Sequence, residues 1–173
     1  KLYYYYHLFF KNFRENVIDY RSFFYPLDNL KNWNNFYGKK GFLQYQFVLP
    51  INKKTKKVIL LIFKIIQKSQ NRPKLCTIKY FKGEKGDLNF YLKGFSLALD
   101  FSIDKNIYKI LDQINNIVCN NNGKVYLTKD SILSKKSFFK MYKISKSLKN
   151  KIKSKKAGEI NLSSLQSERL GLT

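Results

Sequence analysis

The 173-residue sequence predicts an α+β fold, and three observations support this prediction. Several short runs alternate apolar and polar residues, which is typical of strands with one buried face. Two longer segments repeat apolar residues at helical spacing, as expected of helices packed on a sheet. Hydrophobic residues make up 44% of the chain, so that a single domain of this length can bury a core.

The first forty residues are expected to form short elements. Residues 2–13 are aromatic and are predicted to be helical. Residues 20–25 are predicted to be extended, because Pro26 disfavours the helical conformation at the residue before it. Asp28 is then expected to cap a short helix that stops at Gly38.

The central part alternates strands and helices regularly. The predicted elements are a strand over 42–49, a helix over 54–68, strands over 76–81 and 95–101, a helix that Asp104 caps, and a strand over 124–128. This β-α-β-β-α-β order is the split pattern of ferredoxin-like folds. It predicts one antiparallel sheet with both helices on one face, which leaves the other face available to a ligand. Short helices over 134–142 and 145–153 and a polar tail would follow.

The net charge of +23 is open to two interpretations. A basic surface attracts nucleic acid or anionic lipid. However, Lys, Asn, Ile, Tyr and Phe all have A/T-rich codons, and nucleic-acid readers depend on arginine, of which the chain has very little. The charge is therefore interpreted mainly as a genomic bias, and no specific nucleic acid is expected as a partner.

Several kinds of catalytic site are disfavoured. Cys76 and Cys119 do not have metal-ligand spacing and are expected to be two buried, reduced thiols, which fits a reducing, cytoplasmic location. The single histidine, His7, is expected to be structural or exposed, so a nucleophile–histidine relay is not predicted. No phosphate-binding glycine loop, dinucleotide fingerprint or metal motif is present, and no apolar run is long enough to span a membrane.

Three groups of residues are candidates for a binding site. Gln44 and Gln46 project from one face of the predicted strand, where their amides suit sugar hydroxyls or a flavin edge; a solvent-facing strand surface is the alternative. Lys129 follows the last predicted strand and would be a fixed cation in a pocket, or simply a solvated lysine. Phe24 or Tyr25, beside Pro26, could provide an aromatic wall.

Several separate segments resemble one enzyme family. They are FFYPLD (23–28), Trp33-Asn34, Tyr37-Gly38, GFLQYQFVLP (41–50), GFSLALDF (94–101), GKVYLTKDS (123–131) and SERL (167–170). In this order they are similar to the C-terminal substrate domain of FAD-linked oxidoreductases of the vanillyl-alcohol-oxidase superfamily. The most similar branch is the decaprenylphosphoryl-β-D-ribose 2-oxidase type, which is related to sugar-lactone oxidases.

The resemblance implies a flavoenzyme that oxidises a sugar secondary alcohol by hydride transfer to FAD. Residues 1–22 would connect to a preceding FAD-binding domain that this chain lacks, and residues 23–173 would form the substrate (cap) domain. Lys129 would lie near the flavin and substrate as the catalytic and cofactor-binding cation. Gln44, Gln46, Phe24, Tyr25, Ser96 and Ala98 would line the substrate pocket. Mycobacterial members have asparagine and cysteine in place of Ser96 and Ala98, so the pockets differ.

The implied partners are a sugar or lipid-linked sugar, the FAD-binding domain, and a reductase that takes the keto product. A lipid-linked substrate would add peripheral contact with the inner membrane, which the lysine surface would favour. The alternative function is that of a small basic ferredoxin-like module binding RNA. Such modules stack bases on exposed aromatic residues of the sheet, whereas this sheet would present Gln44, Gln46, Ser96 and Ala98.

Overall fold

The computed structural model describes residues 17–25, 31–84, 86, 88–144, 150 and 163–172. The chain divides into two compact units, Lys1–Phe36 and Tyr37–Thr173. The predicted helix over 2–13 and the predicted cap at Asp28 lie outside the described residues.

The first unit contains a short helix, α1 (Tyr20–Phe24), where the sequence predicted an extended segment. Asp19 starts it, because its carboxylate accepts hydrogen bonds from the backbone N–H groups of Arg21 and Ser22 at 3.0 and 3.2 Å. The helix ends before Tyr25, so that Pro26 restricts a residue that is already outside the helix. The prediction for 20–25 is therefore wrong. A 3₁₀ helix, Trp33–Tyr37, follows, and Gly38 ends it with a φ of +81°.

The second unit is built on a four-stranded antiparallel sheet. Its elements are β1 (Phe42–Pro50), α2 (Thr55–Lys68), β2 (Leu75–Phe81), β3 (Gly94–Ser102), α3 (Ile107–Asn120) and β4 (Lys124–Val125). The strand order is β2-β3-β1-β4, and β3 pairs along the whole of β1, from Phe42 opposite Ser102 to Pro50 opposite Gly94. The predicted α+β fold, with its β-α-β-β-α-β order of elements and one antiparallel sheet, is confirmed. Asp104 accepts hydrogen bonds of 2.8 Å from the N–H groups of Asn106 and Ile107 at the start of α3, although the N-cap position itself is occupied by Asn106.

The core lies between the helices and one face of the sheet. It contains Leu43, Tyr45, Phe47 and Leu49 of β1, Leu97, Leu99 and Phe101 of β3, Val58, Ile62 and Ile66 of α2, and Ile110, Leu111, Ile114 and Val118 of α3. Because side chains alternate along a strand, the intervening residues of β1 and β3 point to the opposite side. We call this side, which carries Gln44, Gln46, Ser96, Ala98 and Asp100, the open face.

The last strand is shorter than the predicted 124–128. After Val125 only the N–H of Tyr126 continues the pairing, with a 2.8 Å hydrogen bond to the carbonyl of Gln46. The chain then folds into a 3₁₀ turn, Leu127–Lys129, closed by a 3.0 Å hydrogen bond from the N–H of Lys129 to the carbonyl of Tyr126. Lys129 is thus carried by a turn and not by the end of a strand.

Two further helices follow the sheet. Helix α4 (Lys135–Met141), capped by Ser134, confirms the helix predicted over 134–142. Helix α5 (Leu165–Leu170) lies where a polar tail was predicted; that prediction is wrong because Leu170 is only 1% exposed and anchors the helix in the core. The helix predicted over 145–153 falls, apart from residue 150, outside the described residues.

Cys76 and Cys119 are both free thiols. Cys119 is buried in α3 as predicted, but Cys76 is exposed, because β2 is the outer strand of the sheet and its residues receive little cover. In the part of the chain that the structure describes, no helix combines the length and the apolar content needed to cross a membrane.

Candidate functional site

Strand register brings polar side chains together on the open face. Gln46 of β1 lies opposite Ala98 of β3, and Ala98 lies opposite Thr77 of β2. In the adjacent row, Ser96 lies between Val48 of β1 and Lys79 of β2. Since neighbouring strands are roughly 4.8 Å apart, these side chains form one contiguous polar patch.

This patch forms the floor of a recess of about 90 Å³. The residues lining it are Gln46, Thr77, Lys79, Ser96, Ala98 and Lys129. Drug-sized ligands occupy cavities of roughly 300–1,000 Å³, so the recess can hold only one part of such a ligand. We therefore interpret it as one wall of a binding site.

Gln46 is held in place within the recess. Its amide nitrogen donates a hydrogen bond of 2.9 Å to the Oγ of Ser96, which is itself 1% exposed. The amide oxygen can accept a hydrogen bond from a ligand hydroxyl, and the bond to Ser96 uses only one of the two N–H donors of the amide nitrogen. The arrangement can therefore orient an alcohol without supplying a base.

Lys129 reaches the recess because of the backbone around it. The Tyr126–Gln46 hydrogen bond brings the chain alongside β1, and the 3₁₀ turn then directs it back towards the recess. Gly123 permits this approach, since a Cβ at that position would lie 2.7 Å from both the Val48 carbonyl oxygen and Cγ1 of Val118. The half-buried Lys129 side chain is thus brought beside Gln46, which is 83 positions earlier in the sequence.

The recess carries positive charge. Two of its six lining residues, Lys79 and Lys129, are lysines, and none of the six is acidic. Ammonium groups at the edge of a partly desolvated recess attract anions more strongly than they would in bulk water. The recess is suited to a ligand that combines hydroxyl groups with a negative charge.

Gln44 lies farther along the open face and has a different partner. Its amide nitrogen donates a 3.3 Å hydrogen bond to Asp100, whose carboxylate also accepts one of 3.4 Å from the hydroxyl of Tyr37. Burial, followed by the nearby Asp100 charge, raises the pKa of Tyr37, which therefore stays protonated as the donor. Gln44 shares a face with Gln46 but is not one of the residues lining the recess. Its contact with substrate stays a prediction.

The other predicted site residues separate into two groups. Ser96 and Ala98 line the recess together with Gln46 and Lys129. Phe24 and Tyr25 belong to the first unit, where their side chains are 68% and 59% exposed. Their role as an aromatic wall stays a prediction.

Thr77 and Lys79 line the recess but were not predicted as site residues. The sequence did indicate that they share a face, because they are two positions apart on a predicted strand. What was missing was the strand order, which places β2 beside β3 and thereby brings this face next to Ser96 and Ala98.

No protein-family model matches the sequence. A curated relative does: the chain is 32% identical over 133 residues to the decaprenylphosphoryl-beta-D-ribose oxidase of Mycolicibacterium smegmatis. The match covers 75% of this chain. By sequence, the chain is therefore similar to that oxidase, of whose length it spans 28%.

Proposed function

We propose that the chain is the C-terminal, substrate-binding part of an FAD-dependent oxidoreductase that oxidises a secondary alcohol of a sugar. The observation that carries this proposal is the recess in which Gln46, Ser96 and Lys129 meet on the open face of the sheet. The 32% identity to a decaprenylphosphoryl-beta-D-ribose oxidase supports the same assignment.

The recess fits the edge of a flavin but cannot enclose one. Its charged donors are the ammonium groups of Lys79 and Lys129, which suit the electron-rich oxygen and nitrogen atoms at the edge of the flavin ring. Its volume of about 90 Å³ is far below that of a whole cofactor site. We therefore assign the main binding of FAD to a separate domain, with this chain closing one side of the active site.

When bound, FAD supplies the acceptor for the hydride that leaves the alcohol carbon. Lys129 would stabilise the negative charge that develops during this oxidation, as a fixed cation beside the reacting groups. Gln46 would hold the sugar by accepting a hydrogen bond from one of its hydroxyl groups. Neither residue is assigned proton transfer.

The charge of the recess favours a particular substrate. Lys79 and Lys129 would both attract an anionic group attached to the sugar, and no lining residue repels it. A phosphorylated or phosphate-linked sugar fits better on these grounds than a neutral lactone. If that phosphate carries a lipid, the protein would work at a membrane surface and would pass its keto product to a reductase.

The open face offers no support for RNA binding. Phe42, which stacks on Tyr37, and Phe81, which packs against Phe90 and Tyr91, lie towards its ends. Tyr126 follows the last strand beside Gln46, and its ring lies 4.8 Å from that of Phe90. The central rows carry Gln46, Thr77, Ser96 and Ala98, on which a base cannot stack.

The test is anaerobic flavin reduction. The chain would be produced together with an FAD-binding domain, loaded with FAD and mixed with sugar alcohols with and without a phosphate group. We expect the phosphorylated sugar to bleach the flavin absorbance, and Lys129→Ala to slow the bleaching while Lys68→Ala, on the exposed end of α2, does not. A complex that no sugar alcohol bleaches would contradict the proposal, as would steeply salt-dependent binding of RNA by the chain.

A further inference from the structure

The turn that carries Lys129 is tied to the C-terminal helix. The side-chain amide nitrogen of Gln166, in α5, donates a hydrogen bond of 2.6 Å to the carbonyl of Leu127 and one of 3.3 Å to the carbonyl of Asp130. These two carbonyls lie on either side of Lys129 in the chain. A single side chain therefore holds the backbone before and after the lysine.

Arg169, one helical turn after Gln166, makes a second attachment. Its Nη2 forms an ion pair of 2.9 Å with Oδ2 of Asp130, whose side chain is completely buried. Its Nη1 donates to the carbonyl of Leu133. The other carboxylate oxygen of Asp130 accepts hydrogen bonds from the N–H groups of Ile132 and Leu133, at 3.0 and 2.8 Å. A charge-assisted pair with a buried carboxylate fixes geometry more firmly than one exposed to solvent.

The strand pairing that leads into the turn is short. β4 is only two residues long, so that the sheet stops holding the chain just before Leu127. Helix α5, in contrast, is well fixed: Leu170 is buried in the core, Ser164 and Ser167 form a capping box, and Gly171 ends the helix with a φ of +69°. Helix α5 is thus anchored by contacts other than those of Gln166 and Arg169 with residues 127–133, and it can hold the two side chains in place.

We propose that Gln166 and Arg169 are positioning residues for Lys129, which hold its ammonium group at the recess by fixing the backbone on either side of it. Neither residue lines the recess, and both act only through the backbone of residues 127–133. The catalytic consequence rests on the proposed function, whereas the effect on the position of Lys129 does not. If α5 only stabilised the fold, removing the contacts of Gln166 or Arg169 would lower the free energy of unfolding but would not move the Lys129 ammonium group.

The first test combines two substitutions in the FAD-loaded enzyme. Gln166→Met preserves the length of the side chain and removes its donor, while leaving carbonyl acceptors that water can satisfy. Gln113→Met, on the exposed side of α3, is the matched control. We expect Gln166→Met to lower the maximal rate of flavin reduction roughly tenfold with little change in KM, because a displacement of about 1 Å at a catalytic group can cost up to about 10²-fold.

Non-additivity separates positioning from structure. In the Lys129→Ala background, Gln166→Met should have no further effect on the rate, because the group that it positions has been removed. An equal loss in both backgrounds would overturn the proposal, as would a Gln166→Met enzyme with the rate of the Gln113→Met control.

A second test needs no catalytic activity. The chain is exposed briefly to an amine-acylating reagent, and the modification of Lys129 and of Lys68 is measured by mass spectrometry. We expect Gln166→Met to increase the acylation rate of Lys129 relative to Lys68 at a temperature well below the melting temperatures of both proteins, and Arg169→Lys to have a smaller effect in the same direction. An unchanged ratio in both variants would overturn the proposal, even if the wild-type enzyme oxidises no sugar.

Discussion

The side-chain amide of Gln46 donates a 2.9 Å hydrogen bond to the hydroxyl oxygen of Ser96 on the neighbouring strand. The two residues are diagonal neighbours in the antiparallel pairing, since Gln46 lies opposite Ala98 and Ser96 lies opposite Val48. The bond fixes the orientation of the amide before any ligand arrives. A ligand hydroxyl that binds to the amide oxygen therefore does not have to order this side chain.

We expect Gln46→Ala to weaken substrate binding in the FAD-loaded enzyme by roughly fivefold, the equivalent of one hydrogen bond of about 1 kcal/mol. The rate of flavin reduction at saturating substrate should change little, because in the proposed function Gln46 would bind the sugar equally before and during the reaction. Ser96→Ala should weaken substrate binding less than Gln46→Ala, because it removes only the hydrogen bond that orients the Gln46 amide and leaves the amide itself in place. Stopped-flow titration measures both quantities. A Gln46→Ala dissociation constant equal to that of Gln67→Ala, an exposed control on α2, would exclude Gln46 from the site.

Alternation along the chain was enough to predict the open face. Gln44 and Gln46 alternate with Leu43, Tyr45 and Phe47, and this pattern determines which face is buried whatever the neighbouring strands are. The contribution of β2 could not be derived in the same way, because it depends on which strand lies beside β3 and in which register, and alternation within one strand does not give either.

The turn that carries Lys129, unlike the open face, could not be predicted from the local sequence. Val125-Tyr126-Leu127-Thr128 has a high β propensity, and the sequence predicted a strand through Thr128. In the structure, Gln166 and Arg169 hold the backbone of this region from more than thirty-five residues away. Contacts at that separation leave no local signal, so tertiary structure overrides propensity here. Helix α1, where an extended segment was predicted, does have a local signal in the sequence, because Asp19 is a favourable residue for the start of a helix.

We expect Lys129→Ala to reduce the rate of flavin reduction by about 10²-fold, the typical effect of removing one group that stabilises developing charge. The side chain lies at a surface recess, so the free energy of unfolding should stay within about 0.5 kcal/mol of wild type. Lys129→Arg should recover part of the rate by restoring a cation. Stopped-flow absorbance and urea unfolding measure the two effects. Reduction at the wild-type rate in Lys129→Ala would remove this lysine from the mechanism.

We expect Gly123→Ala to destabilise the protein by about 2–3 kcal/mol, because the new Cβ would lie 2.7 Å from the Val48 carbonyl oxygen and from Cγ1 of Val118. Gly41→Ala is the matched control: its Cβ would meet nothing within 4 Å, and only the φ of +74° opposes it, at a cost of about 1 kcal/mol. Urea unfolding of both variants provides the comparison. Equal losses in the two variants would show that the close approach at Gly123 does not limit packing.

Stability should decline at alkaline pH because of a buried tyrosine. The hydroxyl of Tyr45 donates a 2.6 Å hydrogen bond to the side-chain oxygen of Asn115, and both residues are buried. Burial, followed by the negative charges of Asp130 and Asp112, raises the pKa of Tyr45 well above its ordinary value of 10.0. The folded state therefore keeps this proton at pH values where the unfolded state has lost it.

The sign follows from proton linkage. Below pH 10 both states hold the proton and the contribution of Tyr45 is fully present. Above pH 10 the unfolded state binds fewer protons, so the free energy of unfolding falls by ~1.4 kcal/mol per pH unit until the folded pKa is reached. Tyr45→Phe should cost about 1–2 kcal/mol at neutral pH by leaving Asn115 without this donor, but should lose less stability on alkalinisation. Urea unfolding at a series of pH values, with the half-exposed Tyr108→Phe as the control, measures the difference. Parallel pH profiles for Tyr45→Phe and wild type would show that this hydroxyl is not the group that titrates.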